Sequence, residues 1–195
     1  MIAPAVPPTT VDADASPAVR DLRIRIGWLC QTLRFAAVAY ALWVFVLVAM
    51  HWADADDVAH IWGSWLKVTL TPAPSLQRVA GFLVAMVSWS LTVGACWNLW
   101  RLFSGFLRGR VFTLDAALTL RRVAIFGLAA LIADIASRPL YFMLASGHMP
   151  PGSRHVGLFF LPSDLLDLLF LGGLLALAQV FKVAAEIAED HAAIV

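Results

Sequence analysis

The segment VAIFGLAALIADIASRPLYFMLA, residues 123–145, has the length and apolar composition of a transmembrane helix but carries two charged residues. Its 23 residues exceed the roughly 20 that cross about 30 Å of hydrocarbon. Placing Asp134 and Arg138 centrally in a bilayer would cost about 5 to 7 kcal/mol. Ten of the apolar side chains together favour insertion by only about 3 to 6 kcal/mol. We therefore predict a helix that crosses the membrane only in company with neighbouring helices.

The two charges have the spacing of an ion pair. Asp134 lies four residues before Arg138, so both side chains project from one helix face. The last apolar segment returns from the opposite side of the membrane and carries Asp164 and Asp167 in its first turns, with Asp167 at the depth of Arg138. We predict an intramembrane polar cluster of Asp134, Arg138 and Asp167. Two interpretations stay open, a network that fixes helix pairing and a ligand-binding or proton-linked site.

The rest of the chain extends this pattern to four spans. The 195 residues are 61% hydrophobic and 14% charged, with a mean hydropathy of +0.81. Further apolar runs cover residues 35–52, 79–100 and 165–183, too long and too uniformly apolar for strands. Gly94, Gly172 and Gly173 lie within these runs, where glycines allow close helix packing. The predicted fold is all-α, an integral membrane four-helix bundle over residues 20–190.

The distribution of basic residues predicts the orientation. Ten of the fourteen lysines and arginines fall on the side that holds both termini and the link between the second and third spans. By the positive-inside rule this side is cytoplasmic, so the chain is expected to be a multi-pass protein of the bacterial inner membrane. Residues 1–19, rich in proline and acids, are expected to form a disordered cytoplasmic tail. Residues 184–195 are expected to form the cytoplasmic end of the last helix and a tail.

The first predicted outer loop, residues 51–75, is acidic and rich in tryptophan. His51 with Asp54, and Asp56 with His60, have the spacing of neighbours on a helix, and these residue types bind zinc or harder ions. Acidic loops are usually just solvated, so we expect no metal ion. The residues that would supply its ligands are His51, Asp54, Asp56, Asp57 and His60.

The link between the second and third spans gathers basic and aromatic residues into an amphipathic segment. Thr113 is a good helix N-cap, and Asp115 follows in the first turn, where the helix dipole favours an anion. We call this segment the cytoplasmic box. It is interpreted either as an interfacial hairpin that anchors two spans or as a docking surface for a partner. Its candidate residues are Arg108, Gly109, Arg110, Phe112, Thr113, Asp115, Arg121 and Arg122.

A family resemblance rests on two stretches, RLFSGFLRGRVFTLDAALTLRRVAIFGLAAL (residues 101–131) and LLALAQVFKVAAEIAED (residues 174–190). They resemble the bacterial membrane family called domain of unknown function 2975. The resemblance implies four spans, a cytoplasmic Gly-x-x-Phe-Ser/Thr box at Gly109, Phe112 and Thr113, and a last helix that ends in acids. Ala116 stands where that family often has asparagine. Some members resemble partners of small helix-turn-helix regulators.

These features favour a function through interaction. Gly-rich phosphate loops, paired zinc-ligand motifs and nucleophile elbows are missing from the sequence, so we expect no enzyme activity, no cofactor and no direct contact with nucleic acid. The predicted function is a membrane sensor or anti-regulator. Its expected partners are the lipid bilayer and a small cytoplasmic DNA-binding regulator. The alternative is a subunit of a small transporter or channel, in which several copies form a homo-oligomer around the Asp/Arg site.

Overall fold

The protein is built from helices. The computed structural model describes residues 17–109, 113–150, 154 and 156–193, and the regular secondary structure among them is entirely α-helical. The helices are α1 (Pro17–Ala53), α2 (Ala55–Leu66), α3 (Ser75–Leu107), α4 (Leu114–Ser146) and α5 (Pro162–Ala193). All except α2 contain a segment long and apolar enough to cross a membrane. The predicted fold class, an all-α bundle with four spanning helices, is confirmed.

The helices are longer than the apolar runs predicted from hydropathy. Each of α3 and α4 has 33 residues, or about 50 Å of helix, against about 30 Å of hydrocarbon. Local signals such as side-chain caps and prolines set helix ends, and these need not coincide with the ends of an apolar run. At the start of α4, for example, the Thr113 hydroxyl accepts a hydrogen bond of 3.3 Å from the backbone N–H of Ala116.

The four spanning helices pack side by side in the order α1, α3, α4, α5. Within the described residues, α1 and α5 make no extensive contact with each other. The bundle is therefore open on one side, where a groove runs between α1 and α5 with α3 and α4 as its floor.

Helix α2 covers one end of the bundle, which we call the α2 end. Its Val58 is fully buried in a core with Trp52 of α1, Ala85 of α3 and Tyr141 of α4. The Trp62 ring of α2 lies 5.4 Å from that of Tyr141 between centroids. The opposite end, where α3 leads into α4, is called the α3–α4 turn end.

The sequence analysis treated α2 as a loop, and its start shows why a helix forms. The Asp54 carboxylate accepts hydrogen bonds from the backbone N–H groups of Asp56 and Asp57, at 2.9 and 3.3 Å. Asp56 and Asp57 themselves occupy the first turn, where the helix dipole favours acids. The acidic run thus forms a capped helix start. Arg78 of α3 donates to the last carbonyl groups of α1 and holds this corner together.

The glycines predicted to mediate packing behave differently from one another. A Cβ atom on Gly94 of α3 would lie 2.6 Å from the Phe126 ring of α4, so this glycine permits the close α3–α4 approach. Gly172 and Gly173 of α5 have nothing within 4 Å of an added Cβ, because they face away from α4. The packing prediction holds for Gly94 and is wrong for the α5 pair.

Candidate functional site

A buried arginine joins α4 to the start of α5. Arg138 donates to both carboxylate oxygens of Asp164, at 2.6 Å from Nη1 and 2.7 Å from Nη2. Nη2 also donates to Oδ2 of Asp134 at 2.9 Å, and Nη1 to the carbonyl oxygen of Phe159 at 2.9 Å. The exposed side-chain fractions are 7% for Arg138, 9% for Asp164 and 48% for Asp134. The arginine is therefore paired twice, once in a buried bidentate bridge and once with a half-exposed acid.

Local structure at the start of α5 aims Asp164 inward. Pro162 is the first residue of α5, where a missing N–H costs nothing. Asp164, two residues later, accepts a 2.7 Å hydrogen bond from the backbone N–H of Leu161 through the same Oδ2 that binds Arg138. An acid at the third helical position that reaches back to the preceding N–H is one half of a capping box. One carboxylate thus both caps α5 and neutralises Arg138.

The structure brings Asp134 and Arg138 together, as their spacing predicts, but corrects the third member of the cluster. Asp164 supplies the second carboxylate in place of Asp167, whose side chain is exposed and forms no ion pair in the described part of the chain. The prediction chose Asp167 because its expected depth in the membrane matched that of Arg138. It did not foresee that the chain turns inward before α5. The sequence signal was the run LPSD at 161–164, with proline at the first helical position and aspartate at the third.

The cluster lies at the α2 end of the groove. Arg138 is eight residues from the middle of α4, or about 12 Å along the helix, compared with a hydrocarbon half-thickness of about 15 Å. A bilayer centred on α4 would place the ion pairs inside its apolar layer, near one edge. Asp134 and Asp164 both line the groove, and so does Asp167, one turn further along α5.

The groove is large and mostly apolar. Its volume is about 870 Å³, and every spanning helix contributes to its walls. Six of its lining residues are alanine or glycine, and these small side chains leave the space open: Ala36, Ala37, Ala85, Ala95, Gly127 and Ala130. Its aromatic lining residues are Tyr40, Trp52, Trp62, Trp89 and Tyr141.

A histidine bridges α1 and α2 at the same end of the groove. The indole N–H of Trp62 can only donate, so Nε2 of His51 accepts this 3.2 Å bond. Nδ1 of His51 then carries the ring hydrogen and donates to Oδ2 of Asp57 at 2.6 Å. These bonds fix the neutral tautomer of His51 and attach α2 to the end of α1.

The residues considered for a metal site are used otherwise. Asp54 caps α2, His51 pairs with Asp57, and Asp56 and His60 are exposed. The predicted pairs, His51 with Asp54 and Asp56 with His60, are not among the contacts formed. Across the described ranges, His, Cys, Asp and Glu side chains nowhere assemble a group of three that could hold a metal ion.

The box at the α3–α4 turn end is partly described. Gly109 has a φ of +81°, a conformation that suits glycine, and it leads out of α3 after Arg108. Thr113 caps α4, and Asp115 lies in its first turn, both as predicted. Arg108 and Asp115 line a cavity of about 300 Å³. Arg121 and Arg122 are exposed, and the predicted box residues Arg110 and Phe112 lie outside the described residues.

Comparison with known protein families, curated proteins and solved structures finds no match for this chain. The site must therefore be interpreted from its own geometry. That geometry is an open, apolar groove among four apolar helices, with carboxylates and aromatic rings gathered at its α2 end.

Proposed function

We propose that this protein is a non-enzymatic sensor of the bacterial inner membrane, which binds an amphipathic molecule in its groove and reports that state to a soluble cytoplasmic partner. The observation that carries the proposal is the groove itself. Its volume of about 870 Å³ falls within the range of roughly 300 to 1,000 Å³ that is typical of small-molecule sites. Such sites combine apolar walls with a few polar groups, as this groove does.

The position of the groove suits a ligand that arrives from the lipid phase. It opens between two helices that are each apolar enough to span the membrane. Helices in a membrane gain energy from close packing, so a space held open by alanines and glycine gives up contacts that larger side chains would supply. An amphipathic molecule that enters sideways from the bilayer would recover those contacts.

The ion pairs offer a mechanical connection from the groove to the other end of the bundle. Asp164 fixes the start of α5 to Arg138 of α4, and α4 continues unbroken to Thr113 at the α3–α4 turn end. An occupant that moves α5 away from α1 would pull on the Asp164–Arg138 bridge. Because this bridge is attached to α4, α4 would tilt as well. Arg138 and Asp164 also commit their charges to each other in the bidentate bridge, which supports a role other than catalysis.

The α3–α4 turn end is the surface proposed for the partner. Arg101, Arg108, Arg121 and Arg122 are exposed there. By the positive-inside rule this end faces the cytoplasm. Four arginines would bind anionic lipid headgroups or an acidic protein surface. The resemblance to domain of unknown function 2975 supports the second choice, with a small helix-turn-helix regulator as the proposed partner class.

A bulky side chain that fills the groove tests whether a ligand occupies it. Ala130 of α4 lines the groove, whereas Ala136 of the same helix is exposed and does not. Wild type, Ala130→Trp and Ala136→Trp would be purified from membranes in a mild detergent, and the bound amphipathic molecules would be identified by mass spectrometry. We expect a molecule that accompanies wild type and Ala136→Trp but not Ala130→Trp. Identical profiles from all three proteins would refute the binding role.

Signalling to a partner is tested in cells. A photo-crosslinking amino acid at Arg121 should capture a discrete soluble protein, and the same group at the exposed Arg154 should not. The yield at Arg121 should change in the Ala130→Trp background, because the ligand can no longer occupy the groove. Capture that is the same in both backgrounds would separate partner binding from the groove and contradict a sensor.

A transporter or channel subunit is the second candidate. It is favoured by Asp134 and Asp167, which face the groove with exposed carboxylate surface that a migrating cation could use. In this case several copies would surround a shared path. Proteoliposomes that show cation flux, reduced in Asp167→Asn, would favour transport over sensing.

A further inference from the structure

The chemistry of the groove identifies the kind of molecule it accepts. Asp134, Asp164 and Asp167 are the charged residues among its lining side chains, and all three lie in the half of the groove nearer to α2. One guanidinium, that of Arg138, offsets them from behind the wall. The three carboxylates and this guanidinium together carry a formal charge of −2 (−3 + 1) in a mostly apolar space.

Two of the three carboxylates have capacity left for a cation. Asp164 is largely used, since its two oxygens already accept three hydrogen bonds, two from Arg138 and one from the Leu161 N–H. Asp134 binds Arg138 through Oδ2 alone, and no bond to its Oδ1 is formed among the described residues. Asp167 is exposed and lies one turn after Asp164, about 4.5 Å further along α5. The free acceptors are therefore on facing helices at one level of the groove.

Aromatic rings lie beyond these carboxylates, toward the α2 end of the groove. Trp52, Trp62 and Tyr141 line the groove at its α2 end, and the Tyr141 centroid lies 5.5 Å from that of Trp52 and 5.4 Å from that of Trp62. The faces of such rings attract ammonium groups and other organic cations. Carboxylates beside aromatic walls favour a bulky cation with apolar substituents over an anion or a small hydrated ion.

The length of the groove defines the remainder of the ligand. Along α4, the part of the lining beyond the carboxylates runs from Asp134 to Val123, which is eleven residues or about 16 Å. The walls beyond the acidic end are mostly apolar, with Leu33 and Leu99 at the far limit, and the Thr92 hydroxyl there donates to the Ser88 carbonyl of its own helix. They would accommodate an alkyl chain or a set of fused or linked rings.

We propose that the groove binds lipophilic cations, with the cationic centre between Asp134 and Asp167 and the apolar body along α3 and α4. The proposal rests on the groove being a ligand site, and it adds the class of ligand. A neutral lipid chain would use the apolar walls alone, without the carboxylates. The effect of ligand charge on binding therefore distinguishes a lipophilic cation from a neutral lipid.

The test uses two probe ions of the same shape and opposite charge, tetraphenylphosphonium and tetraphenylborate. The full-length protein in phosphatidylcholine nanodiscs would be dialysed against each ion, with Ala130→Trp nanodiscs as the baseline for partition into lipid. We expect saturable binding of the phosphonium and none of the borate. Asp167→Asn should weaken phosphonium binding by about tenfold, whereas Asp56→Asn, at an exposed acid outside the groove, should leave it unchanged.

Three outcomes would overturn the assignment of a cationic ligand. Equal binding of both ions, unchanged binding by Asp167→Asn, or saturable binding of the borate alone would each show that the carboxylates do not select the ligand. In those cases binding that is still abolished by Ala130→Trp would leave the proposed sensor intact. If no occupant of any charge responds to Ala130→Trp, the proposed function fails as well.

Discussion

Replacing Asp164 by asparagine tests whether the buried ion pair holds α4 and α5 together. The change keeps the size of the side chain and one oxygen acceptor but removes the charge that neutralises Arg138 through bonds of 2.6 and 2.7 Å. Losing one partner of a buried pair costs about 3 to 5 kcal/mol. Asp134 still pairs with Arg138 in this variant. Because its side chain is 48% exposed, water screens this pair, and it compensates only weakly for the lost charge of Asp164. We expect Asp164→Asn to lower the free energy of unfolding by about 3 kcal/mol.

The measurement is reversible unfolding in mixed micelles with increasing dodecyl sulfate, followed by the fluorescence of the eight tryptophans. Asp167→Asn is the matched control, because it makes the same chemical change on the same helix at an exposed acid that has no ion pair within the described ranges. It should change the free energy of unfolding by no more than about 0.5 kcal/mol. Equal losses in the two variants would refute the assignment of Asp164 as the structural carboxylate.

A double-mutant cycle isolates the bridge from other effects of the substitutions. Arg138→Gln, Asp164→Asn and the double variant would be unfolded under the same conditions. Since the two side chains are in direct contact, the double variant should be more stable than additivity predicts by at least about 1 kcal/mol. Simple additivity would mean that the bidentate bridge contributes nothing in the membrane protein.

Three further predictions concern packing, α2 and orientation. Gly81→Ala should lower the free energy of unfolding by about 1 to 3 kcal/mol in the same assay, because the added methyl group meets the Trp52 ring. Gly172→Ala should be near neutral, since nothing lies within 4 Å of an added Cβ atom there. Similar losses in the two variants would contradict the packing. His51→Phe removes two hydrogen bonds that attach α2 and should raise amide hydrogen exchange throughout that helix, whereas His60→Phe at an exposed position should not. Reporter fusions at both termini should indicate the cytoplasm and one within α2 the opposite side; reversed signals would overturn the orientation.

The sequence was sufficient to predict the spanning helices and one ion pair because both depend on local spacing. Apolar runs of about 20 residues require helices in a bilayer, and Asp134 and Arg138 are four residues apart on one of them. The start of α4 was equally predictable, since Thr113 and Asp115 act within a single turn. These features need no knowledge of which helices are neighbours.

The second carboxylate and the groove required three-dimensional information. Choosing Asp167 assumed that α5 descends straight from the depth of Arg138, whereas the chain around Phe159 and Leu161 turns inward and presents Asp164. The groove arises because α1 and α5 do not close the bundle, and this depends on packing preferences between helices far apart in the chain. Small residues at Ala130 and similar positions are compatible with either a closed or an open arrangement.

The most direct test of the central claim compares what touches two neighbouring positions of α4 in living membranes. A photo-crosslinking amino acid would replace Leu131, which lines the groove, or Ile132, which is exposed on the lipid side. Mass spectrometry would identify the adducts after irradiation. The groove site predicts a discrete amphipathic molecule attached at Leu131 and only bulk phospholipids at Ile132. The same phospholipid adducts in the same proportions at both positions would show that the groove is ordinary lipid-facing surface and would contradict the account.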